Sequence, residues 1–511
     1  MRHDAPARDA APGRPTPSFP ATDRSEDASM TSTRHRAFRA PLGTSLALLG
    51  ALGLAACGTV SSAVNSVVGG SGGPAAGQPG FVSGFLGGVA ADEPRAALVG
   101  RDVLSAGGTA VDAAVAAGFA LSATLPSRAG IGGGGACLVY DPVRNSTEAV
   151  VFPAGNPGGG GDRPAAIPMM ARGLFALHTR KPRRPFEELV SPAEQLARFG
   201  TPASRALATD LAAVAGPLLA DAGARAVFAP AGQPLREGEV LSQPDLGATL
   251  AALRVSGVGD LYQGAQARRL EELSPRAGGP LTVAALRPAV AQVMPPLQVT
   301  LVNDTLSFLP PPADGGLAAA VAAQALAAGQ APAAAEARGL AVAGAWRAGG
   351  AEPAALLANP PAGGGAMGTL PASTTLVVLD REGGAVSCAF SMNNLFGTGR
   401  LVPGMGMFLA AAPGVGRVEP PLLSAVLVHN RNLKAFRFAG AGSGQAAAPL
   451  AAALPAIRQL VSRTPLPQAL AEVPEPGRTN AISCDRYLPG DPRQCVAGTD
   501  ARGAGLAIGG Q

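Results

Sequence analysis

Histidine is scarce: the 511 residues contain four, at His3, His35, His178 and His429. That leaves little material for a histidine-rich metal site or a run of histidine general bases. Charge is also sparse, at 15% of positions against 47% hydrophobic. A chain this apolar buries a sizeable core in one large domain or two ordinary ones, which excludes a disordered or coiled-coil protein. The net charge of +5 falls to +3 once residues 1–56 are set aside, because they carry seven Arg and five acidic residues. Such a balance gives no electrostatic footprint for nucleic acid. No run of 18 or more apolar residues follows residue 56, so any membrane attachment is expected through a lipid alone.

What is present begins with an address. Residues 30–57 read MTSTRHRAFRAPLGTSLALLGALGLAAC, a basic start, an apolar run and a small-residue end before Cys57. This is a secretion-signal pattern. The cysteine at its end resembles a bacterial lipobox, which implies a lipid on Cys57 and an exported, periplasmic, membrane-anchored protein. Residues 1–29 carry four Arg against five acids, the wrong sign for a signal start, so Met30 is the expected true start. Residues 57–80, rich in Gly, Ser and Ala, read as a flexible tether. Of the remaining cysteines, Cys484 and Cys495 flank a turn-rich loop and are expected to form a local disulfide in an oxidising compartment. Cys137 and Cys388, in apolar strand-like runs, are expected to be buried free thiols. No metal site and no cofactor is expected.

Helical signals start at Asp92, read as an N-cap ahead of Pro94, and continue in an Ala-rich helix over 110–125. Caps are expected at Ser191-Pro192 and Thr201-Pro202. Strands are expected at 136–140, 149–152, 297–309, 373–380, 385–391, 423–429 and 434–439. Two clusters of strands with helices before, between and after them predict an α+β layered sandwich, helices covering both faces of stacked sheets. A low-complexity segment, 357–372, precedes the best strand.

Gly130 to Gly135 match G-x-G-x-x-G, but a helix precedes and a strand follows, the reverse of a dinucleotide site. Such a run more simply lets two backbones approach closely. The hairpin at 373–391 is more informative. If Asp380 pairs with Ala385, Ser391 faces Thr374 beside Ser373; a shift of one residue sets Ser391 opposite Ser373. Hydroxyls on edge strands are commonplace, but these meet at the open end of a hairpin beside a low-complexity segment. A Ser, Thr or Cys at a freed chain terminus can use its own α-amino group as general base. It needs a cleavable bond ahead of it, a neighbouring hydroxyl and oxyanion donors. The turn Gly440-Ala441-Gly442-Ser443-Gly444, entering a helix, could supply backbone N–H groups.

At these residues the chain resembles the γ-glutamyltransferase family of N-terminal-nucleophile hydrolases. The similarity runs from about Gly88 to Ile508 and includes GIGGGG (130–135), QPDLGATL (243–250), PPPADGG (310–316), NNLFGTG (393–399) and AGTDARGAG (497–505). It implies a four-layer αββα sandwich made of a large part, 81–372, and a small part, 373–511. It further implies self-cleavage before Ser373, with Thr374 the nucleophile if the alignment shifts by one, and fragments of 57–372 and 373–511 that stay associated. Ser391 falls on the supporting hydroxyl, Asn393 on a substrate-contacting Asn, and Ser443 and Gly444 on the oxyanion glycines. Three polar specificity positions are replaced, by Pro153, by Pro421-Leu422 and by the Ala410–Pro413 stretch, leaving Arg163, Arg400 or Glu419 as possible substitutes. The expected activity is that of an amidase acting on a small-molecule or peptide amide, γ-glutamyl by default, through an acyl-enzyme. The alternatives are a non-catalytic envelope lipoprotein on the same fold, and a binding module with Gly-rich loops.

Overall fold

Strand-forming β-branched and aliphatic runs alternate along this chain with Ala-rich segments, and in the computed structural model they sort into two stacked sheets and two helical layers. The structure describes residues 86–349, 351–362, 365, 367 and 372–509. The signal region, Cys57 and the tether lie outside the described residues, as does most of 363–371. The described residues fall within one compact unit, Ser71–Gln511.

The strands of the two sheets are β1 Gly87–Ala91, β2 Gly134–Asp141, β3 Ser146–Phe152, β4 Gln292–Met294, β5 Leu297–Leu301, β6 Asp304–Phe308, β7 Ser373–Asp380, β8 Ala385–Ser391, β9 Ser424–Asn430, β10 Ala435–Ser443, β11 Arg478–Leu488, β12 Cys495–Thr499 and β13 Leu506–Gly509. The first sheet runs β13-β1-β7-β8-β2-β3-β4 and the second β12-β11-β10-β9-β6-β5. Leu138, Val377, Leu379 and Ala389 from one sheet meet Ala425, Leu427, Ala439 and Ile482 from the other in the apolar layer between them. On the outer face of the first sheet lie α1 Pro94–Ser105, α2 Ala110–Thr124 and a set of helices over 170–286. On the outer face of the second lie α3 Gly315–Ala327 and α5 Ala448–Ser462, with α4 Pro332–Arg347 packed beside α3. The result is the expected αββα sandwich.

Alanine explains how the helical layers approach so closely. All 15 residues of α2 are buried, and Thr109 with Asp112 closes its first turn as a reciprocal capping box. The short side chains let α2 contact the first sheet and its helical neighbours on every side.

Several expectations require correction. Asp92 is not the N-cap of α1; Glu93 is, accepting from the Ala96 N–H at 2.8 Å. Ser191-Pro192 lies inside the helix Phe186–Phe199, and Thr201-Pro202 forms a two-residue strand, the next helix being capped by Ser204. Cys137 and Cys388 are not free thiols. They sit directly opposite each other on β2 and β8, Cα atoms 4.1 Å apart, and are joined as a disulfide. The pairing of strands 251 residues apart put them in contact, and nothing local marks that. Cys484 and Cys495, opposite each other on β11 and β12, form the second disulfide.

One buried group makes the fold acid-sensitive. His429 on β9 stacks on Tyr140, ring centroids 4.7 Å apart, and both its ring nitrogens are buried without a partner. Burial, reinforced by Arg431 and opposed by Asp304, pulls its pKa down to about 4. The native state therefore binds fewer protons than the unfolded chain, so stability is lost as pH falls from the ordinary histidine range toward 4. The loss amounts to about 3 kcal/mol. His429→Phe is expected to flatten this acid limb in denaturant titrations repeated between pH 7 and pH 4; an unchanged slope would contradict it.

Candidate active site

The β7–β8 hairpin adopts the shifted register, Ser391 opposite Ser373 and Leu379 opposite Ala385. The turn is the cause. The Asp380 carboxylate accepts from the N–H groups of Glu382 at 3.0 Å and Gly384 at 2.8 Å, and Gly383 takes a φ of +86°. Asp380 thereby belongs to the loop, and pairing begins one residue earlier.

The period of two then aims the hydroxyls. Ser387 Oγ donates to the Gly440 carbonyl on β10 at 2.7 Å, so Ser387, Ala389 and Ser391 face the second sheet. Thr375 Oγ1 accepts from Asn480 Nδ2 on β11 at 2.6 Å, so Ser373 shares that face. Both serines end at a cleft of about 570 Å³ whose walls include Ala372, Ser373, Ser391, Asn393, Arg347, Glu419, Leu422 and Gln445.

Around the Ala372–Ser373 bond the contacts are specific. Ser391 Oγ donates to the Ala372 carbonyl oxygen at 2.9 Å, and the Met392 N–H donates to the same oxygen at 3.3 Å. The Asn393 N–H in turn donates to Ser391 Oγ at 2.9 Å, which leaves the hydroxyl's single proton directed at the carbonyl. Two donors converging on one peptide oxygen are what a developing oxyanion at that carbon requires.

Thr374 is engaged elsewhere. Its Oγ1 donates to Asp92 Oδ2 at 2.9 Å, and the Thr375 N–H donates to the same oxygen at 3.0 Å. Asn480 Nδ2 donates to Asp92 Oδ1 at 2.8 Å. Asp92 therefore ties the start of β7 to β11. The sequence placed it at a helix cap because its partners lie about 280 and 390 residues away.

Asn393, 8% exposed, donates through Nδ2 to the carbonyls of Ala154 and Ala411, while its Oδ1 is buried without a partner among the described residues and so offers an acceptor beside Ser391. The Gly run supports this corner by close packing. A Cβ on Gly132 would lie 1.9 Å from the Phe408 carbonyl oxygen, and one on Gly133 would lie 2.6 Å from that of Ser391.

Ser443 and Gly444 are placed at the end of β10, with Gly444 at a φ of +108°. Neither lines the cleft; the next two residues, Gln445 and Ala446, do. Gln445 was missed by sequence reasoning. It holds a φ of +61°, and its Nε2 is buried without a partner among the described residues. Of the segments expected to have lost polar specificity residues, two adjoin the site, and Pro153 precedes Ala154. Pro421 and Leu422 line the cleft, and Ala411 and Ala154 carry the carbonyls that hold Asn393. Of the proposed substitutes, Arg400 is paired with Asp162 at 2.7 Å, Glu419 approaches Arg347 at 3.6 Å, and Arg163 donates to the Thr398 carbonyl at 2.9 Å.

Arg347 was also missed. It grips Asp314, fully buried at the start of α3, at 2.5 and 3.1 Å, and donates to the Pro420 carbonyl at 2.9 Å. Burial pushes the Asp314 carboxyl up and Arg347 pulls it back.

The chain is similar to known proteins over part of its length. Residues 96–337 match the sequence profile of the family described as Gamma-glutamyltranspeptidase. Glutathione hydrolase proenzyme of Bacillus subtilis (strain 168) is 32% identical over 249 residues, 45% of this chain and 42% of that protein. Glutathione hydrolase 2 of Arabidopsis thaliana is 30% identical over 245 residues, with the same shares. The match thus spans less than half the length of these relatives. Cephalosporin acylase from Bacillus halodurans has the same fold, with a TM-score of 0.65 at 18% identity over 85% of this chain and 98% of that one. Residues 96–337, a little under half of the chain, are thus similar in sequence to the γ-glutamyltransferase family, and the fold is shared with that acylase.

Proposed function

We propose that the protein is a self-processing amidase that cuts its own chain between Ala372 and Ser373 and then uses Ser373 to hydrolyse or transfer the acyl group of a small amide. The observation that carries this reading is the Ala372 carbonyl oxygen held by Ser391 Oγ and the Met392 N–H, next to a hydroxyl that lines a cleft.

The geometry supports the following steps. Ser373 Oγ attacks the Ala372 carbonyl carbon, and the oxyanion settles on the two donors. The C–N bond breaks, the proton from Oγ passes to the departing nitrogen, and an ester remains. The α-amino group of Ser373 is free from that point, and water then hydrolyses the ester to release the Ala372 carboxylate and the Ser373 hydroxyl. That amine is the base for the next attack, on a substrate amide carbonyl. Asn393 Oδ1 and Gln445 Nε2, an unpartnered acceptor and donor, are available to position the substrate. The engagement of Thr374 with Asp92 favours Ser373 as nucleophile. A γ-glutamyl amide is the substrate that the family relationship brings forward.

Reducing gels of wild type and Ser373→Ala test the reading. Wild type is expected as two fragments and the variant as one; a single wild-type band would refute self-processing. The Cys137–Cys388 disulfide bears on how the gel is run, because it joins the part before the cut to the part after it. Without reductant the cleaved protein is expected to migrate as one species. Two bands without reductant would contradict that link.

We also place the protein outside the cytoplasm on a lipid at Cys57. Two disulfides suit an oxidising compartment, and among the described residues no helix is long and apolar enough to cross a membrane. Partition of wild type into a detergent phase, lost in Cys57→Ser, is the expected result; equal partition of both would rule out the anchor.

A further inference from the structure

We propose that the acyl half of the substrate is an apolar chain, seated in a second pocket that opens off the cleft. The inference rests on the reading of Ser373 as nucleophile and names the substrate class it serves. The pocket encloses about 330 Å³ and shares Asn394 and Val418 with the cleft that holds Ser373 and Ser391. Its apolar lining comes from Val214, Pro217 and Leu218, on the helix Arg205–Leu219, and from Leu395, Val415 and Val418, with Arg163, Asn394 and Thr398 the polar side chains among them. A concave, mainly apolar space of this size is of the kind that binds a small molecule. Asn393 anchors the wall between pocket and nucleophile, through its bond to the Ala411 carbonyl.

A γ-glutamyl group brings an ammonium and a carboxylate, and burying either without an opposite charge or full hydrogen bonding is unfavourable. Among the described residues, no acidic one lines this pocket. The acid on the cleft wall, Glu419, already faces Arg347, and Pro421 and Leu422 beside it are apolar. Arg163, which donates to the Thr398 carbonyl, lines the pocket, and Arg417 lines the cleft, so a carboxylate has cations within reach while an ammonium finds no acid in the pocket among the described residues. An alkyl chain needs no polar partner and gains from every methylene that leaves water. In the reaction Ser373 Oγ attacks the amide carbon, the amine departs with a proton, and water releases the carboxylic acid.

The test compares p-nitroanilides of acetyl, butyryl, hexanoyl and γ-glutamyl groups on the cleaved, full-length protein. With about fourfold gained per methylene, kcat/KM is expected to rise about 250-fold over the four methylenes from acetyl to hexanoyl and to exceed that of the γ-glutamyl compound. Val415→Trp, which fills the pocket, is expected to lower the hexanoyl-to-acetyl ratio about tenfold or more; its self-cleavage reports whether it folds. Calorimetric titration of Ser373→Ala with N-hexanoyl and N-γ-glutamyl ethylamide reads the pocket independently of turnover, tighter binding of the hexanoyl compound being expected. A flat acyl series, or equal or better handling of γ-glutamyl in either assay, overturns the proposal. Protein that stays uncut yet binds the hexanoyl amide keeps the pocket and loses the nucleophile. Protein that cuts itself and prefers γ-glutamyl does the reverse.

Discussion

Ser391→Ala is expected to slow breakage of the Ala372–Ser373 bond by about 10²–10³-fold, the usual effect of removing one oxyanion donor. The hydroxyl is 2% exposed and donates to the oxygen on which negative charge would develop, while the Asn393 N–H holds it from behind. Met392 N–H remains in the variant, so cleavage slows but does not stop. Ser391→Thr keeps an O–H at the same place and is expected to cut at close to the wild-type rate. The measurement is a time course of precursor loss on reducing gels, from freshly translated chain. Wild-type kinetics in Ser391→Ala would remove this hydroxyl from the reaction.

Arg347→Ala is expected to destabilise the fold by about 3–5 kcal/mol, the cost of stranding one member of a buried ion pair. Asp314 is fully buried and its carboxyl is already pushed up by desolvation, with Arg347 the main force holding it ionised. Without the guanidinium that pKa rises further. A group whose folded pKa is raised contributes stability at low pH and loses it as pH rises, so the defect is expected to be larger at pH 8 than at pH 5. Urea midpoints at the two pH values measure it. Adding Asp314→Asn to Arg347→Met is expected to recover most of the loss, because no buried charge is then left alone. A loss under about 1 kcal/mol at both pH values would place Asp314 in a wetter setting than the structure gives it. Because Arg347 also donates to the Pro420 carbonyl, the wall at Pro421 and Leu422 is expected to loosen with it.

What could be read from the sequence was local. The strands Ser373–Asp380 and Ala385–Ser391 announce themselves by β-branched runs on either side of a Gly-containing turn, and their observed bounds agree with the reading. The register did not follow, because it depends on the Asp380 carboxylate folding back onto the loop's N–H groups. Helix α2 was legible from composition, while its Thr109–Asp112 capping box was not read. Asp92 was not, since an acid just before a proline suits a helix start as well as it suits Thr374 and Asn480, which only the assembled sheets bring near. The Cys137–Cys388 pair needed the adjacency of β2 and β8. Arg347 and Gln445 carried no motif at all; burial of Asp314 and a left-handed turn after Gly444 put them on the cleft. Apolar substitutions at Pro421, Leu422 and Ala411 were visible, but the pocket they adjoin is made by residues from four separate stretches of chain.

The central claim is tested most directly by sequencing the amino terminus of the smaller fragment from purified, reduced protein. The account predicts a sequence beginning Ser373-Thr374-Thr375-Leu376, with the α-amine free. A fragment beginning at Thr374, or an unbroken chain through Ala372, would contradict it.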